Sequence, residues 1–341
     1  MSEKEVLINH GRLVALMPHL LGARPENSLV VIPLEGAGRR SPAMVVQIPE
    51  QHLWESEARR FEPYGGVGVA IVAFADHAQA EASSAAMAQL LQDNGAEVWS
   101  RVATDGDNWV QLDSGDVGTV SQADRDRVAV EFIRNGHAQP YDSMEQLRAS
   151  FQPVVCADLS ASMNAAAQHA VAAAQDMRSL RREQRWMSHA IVHFVATGQM
   201  PDIEATARLL CDVQVIPLRD HAFTEITRDT AAPNAALWKE IMRRSPEDAR
   251  APAASLAAFS MWLGGDGMQA RLAIEQVPGR YELANLIGLA VSAGVDPAGW
   301  STPDPESKVY GRRADLDAPK STRRRPTPPP ATGGDHRRPE R

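Results

Sequence analysis

The sequence predicts an α/β domain that is followed by an α-helical domain and a disordered tail. Short β-branched runs alternate with helical runs as far as about residue 115, and helical spacing dominates from there to about residue 300. Large apolar side chains then nearly disappear. The length of 341 residues also exceeds the ~250 residues that one hydrophobic core usually supports. We therefore expect an α/β domain over residues 1–115, a helical domain over 116–300 and a tail over 301–341.

The first domain is expected to have three layers, with helices on both faces of a sheet. A helix at residues 10–21 precedes elements in the order β-β-α-β-α-β-β, at residues 28–34, 43–48, 51–61, 67–74, 79–94, 97–102 and 109–112. The run 67–74 is apolar on both faces, as in a central strand covered on both sides. Residues 104–108 form a hairpin turn signal. Two strand–helix–strand crossovers imply parallel neighbours, so the sequence predicts a mostly parallel sheet with antiparallel margins.

The second domain is predicted to be α-helical. Ser121 with Asp124, and Ser143 with Gln146, have the spacing of helix caps, and the first of these helices is expected to end near Asn135 and Gly136. Helical runs follow at residues 165–174, 181–197, 202–211, 218–228, 235–243, 247–263 and 281–293. No convincing strand pattern interrupts them.

The tail is basic, whereas the rest of the chain is acidic. Residues 311–341 carry nine Lys/Arg and four Asp/Glu, a charge of +5, and the whole chain carries −8, so residues 1–310 carry −13. The arginines at 323–325 could contact nucleic acid loosely. No aromatic residue follows Tyr310 to stack on bases, so specific recognition is not expected. The alternative is a solubilising tail or a proline-rich docking segment.

Composition and motifs favour a cytoplasmic protein without a cofactor. No apolar run approaches the ~20 residues of a membrane span, and the first residues do not resemble a signal peptide. Cys156 and Cys211 are too few for a disulfide framework. Walker A, GxSxG, HExxH and paired CxxC motifs are absent from the sequence. The glycine-rich residues 65–68 precede a strand and predict a turn, because dinucleotide-binding loops follow a strand.

His189 and His193 lie four residues apart on a predicted helix, where two imidazoles could face one metal ion. No third ligand is indicated nearby, and a stable site needs three or four ligands. We therefore expect no metal site at this pair.

Arg219 and Asp220 stand at a predicted helix start after Pro217. Adjacent helical residues point about 100° apart, so the two side chains are not expected simply to pair with each other. In a structural interpretation Asp220 interacts with the helix dipole and Arg219 bridges to a distant carboxylate. In a functional interpretation Arg219 holds an anion.

Three glycines, Gly264, Gly265 and Gly267, flank Asp266 in a segment that joins two helices. They allow positive φ and a close backbone approach, and Asp266 could cap the next helix. This pattern is typical of a tight turn, but it also suits a glycine-lined floor that binds a ligand, in which Asp266 could act with Arg219. The glycines are therefore candidate ligand-binding residues, and Arg219, Asp220 and Asp266 are candidate catalytic residues.

Several motifs in order resemble one family. They are residues 20–30 (LLGARPENSLV), 136–147, 219–220, 253–259 (AASLAAF), 265–267, 283–286 and 294–300 (GVDPAGW). Together, from about residue 9 to 300, they resemble the domain-of-unknown-function 4192 family, which occurs mainly in actinobacteria. The resemblance implies an actinobacterial source and no biochemical activity.

Two positions depart from that pattern. Members of the family carry an aromatic residue where Ala23 stands, and an Arg-x-Asp-Leu-Pro run where residues 45–49 read VVQIP. If the Arg and Asp have a functional role in relatives, Val45 and Gln47 cannot perform it, because neither side chain is charged. The chain therefore resembles a divergent member, such as one carried by a mobile element.

The leading functional hypothesis is a non-catalytic binding or regulatory module with an unidentified protein or small molecule as partner. No nucleophile–base pair, metal set or cofactor loop stands out, which weighs against an enzyme. The second hypothesis is a hydrolase or transferase for a small anion, with Arg219 holding the anion and Asp220 or Asp266 supplying a carboxylate. The third is a nucleic-acid-associated protein that uses the basic tail, which the acidic body disfavours.

Overall fold

A six-stranded sheet organises the first part of the chain. The computed structural model describes residues 9–34, 43–134 and 138–300, so the predicted tail and the predicted helix end at Asn135 and Gly136 lie outside the described residues. The strands have the spatial order β2-β1-β3-β4-β5-β6. They are β1 (Ser28–Leu34), β2 (Met44–Gln47), β3 (Gly68–Phe74), β4 (Glu97–Thr104), β5 (Asn108–Gln111) and β6 (Val117–Thr119).

The sheet is mixed and mostly antiparallel, so the prediction of a mostly parallel sheet was wrong. Among the strands that the structure describes, only β3 and β4, which a helix connects, pair in parallel. Strand β1 lies between β2 and β3 and pairs antiparallel with both. The crossover from β2 to β3 therefore joins strands of the same direction that are not neighbours. The predicted hairpin is present, because β4 and β5 pair antiparallel.

Helices cover both faces of the sheet. On one face α1 (His10–Leu21) and α4 (Gln122–Arg134) pack on side chains such as Val30 and Val72. On the other face α2 (Gln51–Ala58), the 3₁₀ turn Arg59–Tyr64 and α3 (His77–Asp93) pack on Val31 and Ile71. Alternate residues of the central strands thus point to opposite faces of the sheet and belong to two separate apolar cores. The domain boundary near residue 115 stays a prediction; β6 and α4, which follow it, contact the α/β part.

The remaining elements are helical. They are α5 (Met144–Ala149), α6 (Ala157–Ala173), α7 (Met177–Thr197), α8 (Ile203–Asp212), α9 (Ile216–Thr224), α10 (Ala231–Arg244), α11 (Arg250–Leu263), α12 (Gly267–Ile274) and α13 (Glu282–Ser292), with 3₁₀ turns at Glu247–Ala249 and Pro297–Gly299. Caps fix several starts, since Ser143 accepts a hydrogen bond from the backbone N–H of Gln146, as its spacing predicts.

Helix α11 is the centre of the helical part. Every residue of α11 from position 252 to its last residue is buried. Its serines satisfy their hydroxyl groups within the helix, because Ser255 and Ser260 donate to the carbonyl oxygens four residues earlier. A helix that is buried all round needs such internal hydrogen bonds, since water cannot supply them.

An aromatic cluster holds the last described residues against α11. Trp300 lies edge-on to Phe259 and Trp262, with ring centroids 5.4 and 6.0 Å apart, and Phe223 stacks on Phe259 at 4.0 Å. The indole N–H of Trp262 donates to the carbonyl oxygen of Val295 at 3.1 Å. The segment after α13 is therefore fixed beside the end of α11.

The α/β part and the helical part also meet along the chain between α1 and β1. The N–H of Tyr141 donates to the carbonyl oxygen of Gly22, and the N–H of Arg24 donates to that of Tyr141. Ala23, between them, is fully buried and belongs to the helical core. The segment that joins α1 to β1 is thus packed against the helical part.

Two further findings concern membrane insertion and the cysteines. None of the helices in residues 9–34, 43–134 and 138–300 combines the length and the apolar character required to cross a membrane. Both cysteines are free thiols, with Cys156 half-buried and Cys211 buried. The cytoplasmic location stays a prediction.

The burial of α11 makes its core side chains decisive for stability. Replacing fully buried Leu256 by alanine should lower the free energy of unfolding by about 2–5 kcal/mol, because transfer and cavity terms add. The same change at Leu286, which is 65% exposed, should alter it by less than about 0.5 kcal/mol. Urea unfolding of both variants measures the difference, and equal losses would contradict the central position of α11.

Candidate functional site

A cavity of about 530 Å³ lies where α1 and the edge strand β2 meet the C-terminal helices. Its volume falls within the ~300–1,000 Å³ that is typical of small-molecule sites. The lining comprises Leu20, Leu21, Ala43, Met44, Val45, Glu57, Arg60, Arg228, Trp262, Leu263, Gly264, Gly265, Gly267, Met268, Arg271, Val291, Ser292, Gly294, Val295, Asp296 and Pro297.

Segments that are far apart in sequence converge on this cavity. The predicted ligand-binding glycines Gly264, Gly265 and Gly267 all line it. So do the end of α1 and residues 294–297, two of the segments that carry the family resemblance. Val45 lines it as well.

The glycines form the connection between α11 and α12. Gly264 is the C-cap of α11, and Gly265 has a φ of +88°, a left-handed conformation that disfavours any residue with a Cβ. Gly267 begins α12 without a positive φ, and apart from its chain neighbours and the backbone of its own helix no atom lies within 4 Å of the position that its Cβ would take. The chain turns sharply at Gly265, and Gly267 leaves open space at the cavity wall.

The charges in the lining are only partly neutralised. Arg60 makes a two-pronged ion pair with Glu57, with N–O distances of 2.7 Å. Asp296 accepts a hydrogen bond from the backbone N–H of Ala298 at 2.8 Å. The nearest carboxylate oxygen of Glu275 is 3.7 Å from Arg271, beyond hydrogen-bond distance. Arg228 is exposed and makes no side-chain hydrogen bond or ion pair within the part of the chain that the structure describes.

Arg219 pairs with Asp220, so the prediction that these neighbours do not pair was wrong. The Nε and Nη2 atoms of Arg219 lie 3.0 and 2.7 Å from Oδ1 of Asp220, and its Nη1 donates to the hydroxyl of Tyr281 at 2.9 Å. The Cα–Cβ bonds of the two residues diverge, but the arginine side chain is long and flexible enough to bend back to the carboxylate of Asp220. Burial lowers the pKa of Arg219, but the hydrogen bonds to Tyr281 and Asp220 outweigh burial and raise it.

Asp266 caps helix α12. Its carboxylate accepts from the backbone N–H of Gln269 at 3.0 Å and from the Gln269 side chain. Neither Asp266 nor the Arg219–Asp220 pair belongs to the lining of the cavity. The glycines are thus placed at a cavity without the three candidate catalytic residues.

A cluster of Ser188, His221 and Glu225 was not anticipated from the sequence. Oγ of Ser188 lies 2.8 Å from Nε2 of His221 and donates to Glu225 at 2.7 Å. The same Nε2 lies 3.1 Å from the carbonyl oxygen of Gln184. A carbonyl oxygen only accepts, so Nε2 carries the proton and cannot take one from Ser188. Burial lowers the pKa of His221, with smaller opposing effects of Glu225 and the Gln184 carbonyl.

This geometry differs from that of an activated serine nucleophile, which needs an unprotonated nitrogen beside its hydroxyl. The cluster instead links α7 to α9. No sequence signal could have found it, because Ser188 and His221 are 33 positions apart without a spacing motif.

A second buried cluster joins α6, α7 and α8. Glu183 is buried and receives two hydrogen bonds from Arg208, at 2.6 and 2.7 Å, and one contact of 2.8 Å from His169. Burial raises the pKa of Glu183, but the hydrogen bonds from Arg208, His169 and Asp212 outweigh burial and lower it.

Asp212 is the uncharged member of this cluster. It is fully buried, and neither carboxyl oxygen receives a hydrogen bond. Burial, followed by the charge of Glu183, raises the pKa of Asp212 to about 8. A protonated Asp212 that donates to Glu183 explains both facts, because a buried carboxylate without donors would be strongly unfavourable.

The histidine pair His189 and His193 lies on the exposed side of α7. Within residues 9–34, 43–134 and 138–300, no group of three His, Cys, Asp or Glu side chains is arranged to hold a metal ion.

Comparison with known proteins identifies one family. The model of the domain of unknown function DUF4192 matches residues 11–298. No curated protein and no solved structure matches the chain. The match spans every residue that lines the cavity.

The two glycines of the α11–α12 connection should respond differently to alanine. Gly265→Ala should lower the free energy of unfolding by about 1–2 kcal/mol, because alanine is strained at positive φ. Gly267→Ala should leave it unchanged or raise it slightly, since its backbone suits alanine and the space is open. Thermal unfolding of both variants checks this ordering, and the reverse order would refute the assigned backbone conformation.

The Asp212–Glu183 pair should make stability depend on pH. The unfolded chain releases the Asp212 proton near 3.8 and the folded chain near 8, so folding retains a proton between these values. The contribution of Asp212 to stability therefore falls as pH rises from about 4 to about 8. Asp212→Asn removes this titration and keeps a donor toward Glu183.

We expect the difference in melting temperature, Asp212→Asn minus the unaltered protein, to increase as pH rises from about 4 to about 8. The exposed Asp142→Asn is the matched control and should show no such trend. A pH-independent difference for Asp212→Asn would mean that Asp212 is already ionised in the folded chain.

Proposed function

The chain belongs to the DUF4192 family, and from this premise we propose that it is a non-catalytic module that binds a small molecule in the cavity. One observation carries the proposal: segments around residues 20, 264 and 295, each part of the family resemblance, meet at this cavity. Distant segments that converge on one concave surface are typical of ligand sites, whereas turns with purely local roles need no such convergence.

The composition of the lining supports the proposal. Its walls combine polar groups with apolar side chains, Leu20, Leu21, Trp262 and Leu263 among them, and the apolar part would bury the body of a ligand. The glycine connection lets a ligand approach the backbone closely, because no side chain projects from Gly267. Polar side chains at a few points would orient the ligand.

The same geometry weighs against catalysis. Arg219 donates to both Asp220 and Tyr281, and Asp266 is engaged as a helix cap. Ser188 directs its proton to Glu225, away from the imidazole that would have to accept it in nucleophilic catalysis. These arrangements favour a binding or regulatory role over a hydrolase or transferase.

The proposal places the module in the cytoplasm, where two unpaired cysteines are ordinary. The alternative of nucleic-acid contact rests on the basic residues 311–341, which lie outside the described residues. It stays a prediction.

Filling the cavity should weaken binding. Gly267→Leu places a side chain in the open space at the cavity wall, at a backbone position that tolerates it. Binding of 1-octanol, a neutral probe with an apolar chain, should weaken at least tenfold when it is followed by saturation-transfer NMR.

Gly65→Leu is the matched control, because Gly65 also has open space and no positive φ but does not line the cavity. Its affinity for 1-octanol should equal that of the unaltered protein. Equal binding by Gly267→Leu, or no binding of 1-octanol by any form, would refute the cavity as the site.

A further inference from the structure

The cavity carries an excess of positive charge on an acidic protein. Its lining contains three arginines, Arg60, Arg228 and Arg271, against the two carboxylates Glu57 and Asp296. The whole chain carries −8, so this local excess is opposite in sign to the net charge. A site with this balance favours an anion by local contact, while the surrounding protein field does not attract one.

Arg228 is the cation that the protein leaves available. It lies between α9 and α10, and its side chain is exposed at the cavity with no hydrogen-bond or ion-pair partner among the residues that the structure describes. Arg60, by contrast, is neutralised by its two-pronged pair with Glu57. Arg271 is intermediate, because its carboxylate neighbour Glu275 is 3.7 Å away. A guanidinium presents parallel N–H donors that match the two oxygens of a carboxylate.

The size of the charge excess limits the ligand. With Glu57 and Asp296 also in the lining, the net excess is one positive charge. A phosphate monoester carries a charge of about −1.5 to −2 at pH 7, which exceeds the net positive charge of the lining. A ligand with a single negative charge balances the lining.

From these observations we infer that the cavity takes a monocarboxylate with an apolar body, whose carboxylate binds Arg228. This inference rests on the proposed function, because it names the class of ligand for the same cavity. The apolar walls would hold the hydrocarbon part, and Arg271 would add a weaker attraction.

The experiment compares probes that share one apolar chain and differ in their head group. Octanoate, octyl phosphate, octylammonium and 1-octanol are titrated into the full chain by calorimetry, below the concentrations at which they form micelles. Octanoate should bind at least tenfold more tightly than 1-octanol, and its affinity should fall as sodium chloride is raised. Octylammonium should bind more weakly than 1-octanol.

Arg228→Gln should remove the tighter binding of octanoate relative to 1-octanol. Arg181→Gln is the matched control. Arg181 is also exposed, and it lies on α7, outside the cavity lining. Its side chain makes no hydrogen bond or ion pair among the described residues. This variant should preserve both affinities.

Each other outcome has a definite meaning. If 1-octanol binds and octanoate binds no better, or if Arg228→Gln leaves octanoate unaffected, the inference is overturned and the proposed function stands. If octyl phosphate binds more tightly than octanoate, the assignment to a monocarboxylate is overturned. If no probe binds, both the inference and the proposed function fail.

Discussion

The burial of α11 from position 252 to its last residue is the constraint on which the helical part of the molecule depends. An isolated helix of 14 residues is marginal in water, so α11 exists because its neighbours bury it on every side. Burial in turn requires that its hydroxyl groups bond within the helix, as Ser255 and Ser260 do. The chain leaves the C-terminal end of α11 through a tight connection, the Gly264–Gly265 turn, in which Gly265 has a positive φ.

The cavity follows from how α11 ends. The glycines of the turn after α11 line the cavity. Near the end of α11, the indole N–H of Trp262 donates to the carbonyl oxygen of Val295. Trp300 then fixes the following segment against Phe259. On the opposite side the cavity is closed by α1 and β2 of the α/β part. The site is therefore a product of two structural parts, and neither contains it alone.

Charged side chains are neutralised in the core, whereas at the cavity one is not. In the cluster of α6, α7 and α8, Glu183 is held by Arg208 and His169, and Asp212 avoids an unpaired charge by keeping its proton. At the cavity, Arg228 has no such partner among the described residues. Buried charge is costly and forces neutralisation, whereas a cation at the rim of a cavity stays hydrated until a ligand displaces the water. This contrast distinguishes structural charges from one that is available for binding.

By itself the sequence determined the features that depend on local chemistry. Caps, apolar periodicity and glycine positions gave the helices and the sharp α11–α12 connection, because these signals act within a few residues. Motifs spread from residue 20 to 300 also indicated the family that the match over residues 11–298 supports. Only the tertiary structure decided the strand order, since the insertion of β1 between β2 and β3 depends on long-range pairing. It alone showed that Arg219 turns to Asp220 and that Arg228 faces a cavity, because the partners of a side chain depend on three-dimensional neighbours that sequence distance does not reveal.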